Sequence, residues 1–98
     1  MTINHSLDGS KLNVELEGRL DTTTSPSLEV LLTENRPVSE VSFDFAKLEY
    51  ISSAGLRVLL SEQKYINSVD GKMIIRNVND MVMEVFEITG FVDLLTIE

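Results

Sequence analysis

Few side chains in this sequence could do chemistry, and two of them are adjacent: Ser52 and Ser53, in the run Tyr50-Ile51-Ser52-Ser53-Ala54-Gly55-Leu56-Arg57. The run reads as a strand exit followed by the first turn of an amphipathic helix. Free first-turn amides and the helix dipole favour an anion at such a place. A phosphate on Ser53 would add about −1.5 to −2 charges, and its own chain would tolerate them. Inside a tight interface the outcome reverses. Burying a dianion without a cation costs several kcal/mol, and each step of about 1.4 kcal/mol is tenfold in affinity. One modification could therefore release a partner and leave the fold intact. The plainer alternative is that both serines only cap the helix, since serine is a preferred N-cap residue.

Other chemistry finds little support. Nucleophilic serine catalysis needs a base beside the hydroxyl, and the one histidine, His5, sits in a strand pattern near the N-terminus. The serine run lacks the Gly-x-Ser-x-Gly elbow. No Gly-x-Gly-x-x-Gly or phosphate-loop spacing occurs. Glu15 and Glu17 share the face of a strand opposite Val14 and Leu16, as a solvated pair would. Met81 and Met83 read as core filler at the start of a helix. With no cysteine in the chain, thiolate metal sites, disulfides and thiol catalysis are excluded. No metal constellation is visible, and the expectation is a protein that is not an enzyme and takes no cofactor.

The elements that must position the serines follow from periodicity. Ile3, His5 and Leu7 alternate with polar neighbours, Asp8-Gly9-Ser10 signals a turn, and Leu12, Val14 and Leu16 alternate again, as in a half-buried antiparallel hairpin. Gly18 is expected to end that second strand, with Gly18-Arg19-Leu20-Asp21 leading away from the sheet. Ser25 as cap, Pro26 in the first turn and the stripe Leu28, Leu31, Leu32 predict a helix that Arg36-Pro37 stops. Val41, Phe43 and Phe45 predict a third strand. A second helix is expected from Ser53 or Ala54 to about Ser68, with Leu56, Leu59, Leu60 and Ile66 inward. Arg57, Glu62, Gln63 and Lys64 would be solvated.

After a turn at Asp70-Gly71, the continuous run Met73-Ile74-Ile75 reads as a short strand covered on both sides. Asn79 or Asp80 can cap a third helix with Val82, Val85 and Phe86 on one face. Gly90 has the position of a left-handed terminating residue. The end, Phe91 to Glu98, would be a last strand or a docked turn. Parallel, right-handed pairing of the third and fourth strands is expected, with the hairpin making the sheet mixed. One sheet face would pack on helices and the other meet water.

A chain of 98 residues has room for one domain, here residues 1–98. Sixteen acidic against eight basic residues give a net charge of −8, spread evenly over both halves. Such a surface repels phosphate backbones and anionic lipid, which argues against nucleic acid and membranes as partners. It also suits capture of a basic partner surface. No run approaches the ~20 apolar residues of a membrane span, and the N-terminus shows no signal-peptide pattern. The expectation is a cytoplasmic protein, monomeric when free.

The serine segment resembles the signature of STAS domains, specifically the bacterial anti-sigma factor antagonists, whose common form is (M/I)-D-S-(S/T)-G-L. Gly18-Arg19-Leu20-Asp21 is similar to that family's G-x-(L/I)-D. Val41-Ser42-Phe43-Asp44 resembles the strand leading to the signature, and Val85-Phe86-Glu87-Ile88-Thr89-Gly90-Phe91 resembles its late L-F-(x)2-(S/T)-G-(L/F) pattern. Two positions depart: Ser52 stands for the aspartate and Ala54 for the second hydroxyl.

The resemblance implies a single-domain α/β STAS-like fold, with a mixed sheet of four to five strands and about three to four helices. It places Ser53 on the phosphorylated serine, Gly55 and Leu56 on the signature glycine and leucine, and Asp21 in the neighbouring loop. A partner-binding surface of Asp21, Ser52, Ser53, Gly55, Leu56 and Arg57, with the loop Arg19–Thr23, is what it implies. The partners would be an anti-sigma factor serine kinase, which brings the ATP, and a phosphoserine phosphatase. A second possibility keeps the fold without the switch, as a fixed STAS subunit or regulatory module of a transport or other signalling assembly.

Overall fold

Alternation at period two builds the first two strands of the computed structural model, which describes Met1–Glu98. β1 (Thr2–Asp8) and β2 (Lys11–Leu20) pair antiparallel around Gly9-Ser10, where Gly9 takes φ +62°. α1 (Ser25–Glu34) crosses to β3 (Glu40–Ile51), and α2 (Ser53–Ser68) crosses to β4 (Lys72–Arg76). α3 (Asp80–Thr89) then leads into a 3-10 turn at Phe91–Asp93. The sheet order is β1-β2-β3-β4, with β2–β3 and β3–β4 parallel. The tail combines both expected forms, a docked turn and a single parallel bridge from Ile97 to Ile75.

One hydrophobic cluster of 21 buried residues holds these layers together. Leu12, Val14, Leu16 and Leu20 supply it from β2, Phe43, Phe45 and Leu48 from β3, and Leu59 and Ile66 from α2. Phe45 links the sheet to α3, its ring 5.9 Å from Phe43 and 6.5 Å from Phe86. Each such side chain contributes about 1.5–3 kcal/mol on burial. The opposite sheet face is polar, with Asn4, Glu15, Asp44 and Arg76 abreast across the four strands. Asn79 caps α3 by accepting the Val82 N–H at 2.8 Å, and its own amide donates to the Leu48 carbonyl at 2.7 Å, so the cap also ties α3 to β3. Gly90, at φ +79°, ends the helix as its position required.

Several local expectations give way. β2 does not end at Gly18: it continues to Leu20, paired with β3 through Arg19–Tyr50 and Leu20–Ile51. Gly18 instead marks a register irregularity, at φ +101°, a conformation open mainly to glycine. Thr24, not Ser25, is the N-cap of α1, without a side-chain cap bond, and Ser25 is buried in the first turn.

Glu62 is buried rather than solvated, its Oε1 2.8 Å from Arg36 Nη2. A charge can leave water there because the opposite charge waits, brought from 26 residues away. Leu60 of α2 and Val85 of α3 are only half-buried, whereas Val58 is in the core. In β4, Met73 and Ile75 are buried and Ile74 is half-exposed, because β4 is an edge strand with one face on the helices.

Candidate functional site

Parallel strands joined by helices deliver successive helix starts to one edge of the sheet, and the end of β2 meets the start of α2 there. The Ser52 N–H donates to the Leu20 carbonyl at 2.9 Å. Ser52 has the extended backbone of an N-cap (φ −101°, ψ 177°), and its carbonyl accepts the Leu56 N–H at 3.0 Å. Its hydroxyl, however, makes no cap bond and is buried without a partner. No other side chain caps α2 either, so the amides of Ser53, Ala54 and Gly55 keep the unsatisfied state of a helix's first turn. The reading of the serines as mere caps loses its main support.

Ser53 is exposed and its hydroxyl takes part in no hydrogen bond within the protein. Gly55 is buried. A Cβ there would lie 2.7 Å from Leu20 Cγ and 2.9 Å from Ile51 Cγ1. The glycine is required because α2 presses directly on the ends of β2 and β3. Leu56 is 5% exposed and belongs to the core. Of the residues that the resemblance groups as a partner surface, Gly55 and Leu56 are buried and build the corner from inside. Ser53 and Arg57 face solvent, with Ser52 partly accessible.

Arg57 lies one helical turn after Ser53, on the same face. It has no carboxylate within 4.0 Å, whereas Arg19, Arg36 and Arg76 each have one. Beside it a groove of about 320 Å³ opens between α1 and α2, lined by Thr22, Ser25, Pro26, Glu29, Ala54 and Arg57 among others.

Asp21 organises the loop between β2 and α1. Its Oδ1 accepts the Thr23 hydroxyl at 2.7 Å, the Thr23 N–H at 3.0 Å and the Thr24 N–H at 3.2 Å. The Asp21 N–H donates to Thr24 Oγ1 at 2.8 Å, and that hydroxyl donates to the Arg19 carbonyl at 2.8 Å. The Thr23 hydroxyl, with the Thr23 and Thr24 amides, holds the Asp21 carboxyl below the usual carboxylate range. Arg19 lies 3.9 Å from Asp21 Oδ2 and stacks over the Tyr50 ring at 4.3 Å. Sequence reasoning missed the roles of Thr24 and Tyr50. An Asp followed by three threonines was the signal for such a side-chain-bonded turn.

The arrangement offers a free hydroxyl on a pinned corner, one unpaired cation a turn away and a rigid loop alongside. His5 lies on the outer strand β1, paired with Val14, and is not part of this corner.

Residues 3–98 match the STAS domain family. BtrV of Bordetella bronchiseptica, whose name assigns it provisionally as an anti-sigma factor antagonist, is 36% identical over 84 residues, covering 84% of this chain and 72% of BtrV. An anti-sigma-B factor antagonist of Staphylococcus aureus is 33% identical over 84 residues, covering 84% of this chain and 78% of the relative. Among solved structures, the anti-sigma factor antagonist SpoIIAA in its unphosphorylated form superposes with a TM-score of 0.86 at 18% identity, over 99% of this chain and 88% of that one.

Proposed function

Because the chain belongs to the STAS domain family, we propose that it is an anti-sigma factor antagonist, a partner-switching regulator of sigma-factor-dependent transcription. Unmodified, it binds an anti-sigma factor that is also a serine kinase, and a sigma factor goes free. The kinase moves the γ-phosphoryl group of ATP to Ser53 Oγ, with ADP and the hydroxyl proton leaving, and the complex is lost. A phosphoserine phosphatase restores the binding form. In this scheme the chain is ligand and substrate, takes no cofactor of its own, and works in the cytoplasm as a monomer.

The names of relatives at 36% and 33% identity support the general role. The single observation that carries the switch is the exposed, unbonded Ser53 hydroxyl on an uncapped first helical turn. A phosphate there meets free amides in the isolated protein. In a docked complex it meets desolvation, and two such kcal/mol-scale penalties of about 1.4 each lower affinity a hundredfold. The contact surface is Ser53 and Arg57, the accessible part of Ser52, and the loop from Arg19 to Thr23 with Asp21 at its centre. Gly55 and Leu56 act by holding that surface in place. The net charge of −8 favours a partner with a basic patch.

The test is incubation with candidate anti-sigma kinases and ATP, followed by mass spectrometry of the peptide carrying Ser52 and Ser53. Phosphate on Ser53 is expected, together with a loss of kinase binding in Ser53→Asp of about a hundredfold or more. Phosphate on neither serine, with each kinase active on a control substrate, overturns the proposal. Unchanged affinity in Ser53→Asp would favour the non-switching STAS subunit instead.

A further inference from the structure

Helix α3 meets its core demand with Val82 and Phe86, both fully buried. Periodicity then leaves a second apolar stripe without a partner. Met81 is 60% exposed and Ile88 77% exposed, and half-buried Val85 lies between them. At 3.6 residues per turn these three fall within an arc of about 60°. Next to it, away from the core, Asp80, Glu84 and Glu87 form an acidic stripe. Val92 and Leu94, on the turn that packs against α3, are exposed as well. No lysine or arginine occurs from Asp80 to Asp93. Glu87 therefore sits in the last helical turn with no basic residue to offset it, against the helix dipole.

We propose that α3 is a second docking surface, whose occupant is an amphipathic helix of a partner protein with an apolar ridge flanked by lysine or arginine. The ridge covers Met81, Val85 and Ile88, as exposed apolar stripes rimmed by polar residues are covered elsewhere. The basic flank meets Asp80, Glu84 and Glu87, and supplies the positive charge that the end of α3 lacks. A second copy of this chain fits poorly, since symmetric pairing would bring acidic stripes together. Anionic lipid is repelled for the same reason. None of these residues belongs to the Ser53 corner, so this surface stands whether or not Ser53 is a switch.

The probe is a synthetic helical peptide with a leucine ridge and a lysine flank, titrated into the isotopically labelled protein and followed by amide chemical shifts. Its control is the same ridge with glutamates in place of the lysines. Saturable shifts confined to residues 80–94 are expected with the lysine peptide, weakened by salt and unaffected by Ser53→Asp. Ile88→Ser, at an exposed position, should keep its circular dichroism and bind about tenfold more weakly. Equal binding of both peptides, shifts mapping elsewhere, or no saturation at millimolar peptide overturns the proposal. So does self-association that Ile88→Ser abolishes, or flotation with phosphatidylserine vesicles.

Discussion

Ser53 and Glu62 lie nine residues apart on α2, both polar residues on a helix that buries Leu56 and Leu59. Ser53 is exposed and unbonded, whereas Glu62 is 1% exposed, with its carboxylate 2.8 Å from Arg36. The Glu62 end finds its opposite charge within the fold, although Glu62 Oε2 and Arg36 Nε stay buried without a hydrogen-bond partner. Arg36 also lies 4.2 Å over the Tyr65 ring, and the Tyr65 hydroxyl accepts the Val38 N–H at 3.0 Å and donates to the Val38 carbonyl at 3.2 Å. The Ser53 end leaves its groups open: first-turn amides without a cap, a free hydroxyl and an arginine with no acid beside it. The contrast teaches that polarity alone does not mark function. What separates the two ends is that the Glu62 carboxylate meets an opposite charge within the fold, whereas the Ser53 hydroxyl meets solvent.

Arg36→Ala should show the largest effect, because it strands a buried carboxylate. Arg36 is itself partly exposed, so the expected loss is about 2–3 kcal/mol at neutral pH by urea denaturation, toward the lower end for a broken buried pair. Burial already pushes the Glu62 carboxyl up, and the Arg36 hydrogen bond and charge only partly oppose that. A carboxyl raised in the folded state stabilises most where it is neutral, in acid, and that contribution fades as pH rises through its folded value. Removing Arg36 raises it further. The difference between variant and parent should therefore shrink as pH falls through these raised folded values, and be gone once pH is below the ordinary glutamate range. A difference independent of pH would mean that Arg36 matters for packing alone.

Gly55→Ala comes next. Alanine gains up to about 1 kcal/mol of helix propensity, but its Cβ meets branch carbons of Leu20 and Ile51 inside 3 Å. Overpacking of that kind costs about 1–3 kcal/mol, so a net loss of about 1–2 kcal/mol is expected. Partner affinity should fall too, although the residue itself is covered. Wild-type affinity in this variant would detach the corner's geometry from binding.

Ser53→Ala should have the smallest effect on stability, within about 0.5 kcal/mol, as at an exposed site without contacts. Thermal unfolding would check this. A larger loss would make Ser53 a structural residue like Glu62, and the comparison would fail.

Most of the fold was legible because its signals are local. The hairpin, the span of α2, the Asn79 cap and the Gly90 terminator each depend on a few adjacent residues. What stayed hidden depended on distant ones. Glu62 reads as a solvated helix residue until Arg36 arrives from the end of α1. Gly18 reads as a strand end because nothing local shows that β3 runs on to Ile51 beside it. At the candidate site, the place of Ser53 at the start of α2 was legible from the strand–helix junction. Leu56 was legible as an inward residue of the helical stripe, but the inward aim of Gly55 was not, since smallness fits an open surface as well as a tight contact. Only the approach of Leu20 decides between them.

The bond from the Ser52 amide to Leu20, with Gly55 pressed on that same leucine, bolts the serine to the sheet's framework. A group added to Ser53 would find no hinge to turn and no segment to unlatch. Whatever news it carries would have to be written in charge and bulk on an unyielding exterior, legible to a visitor by touch and not broadcast through the interior.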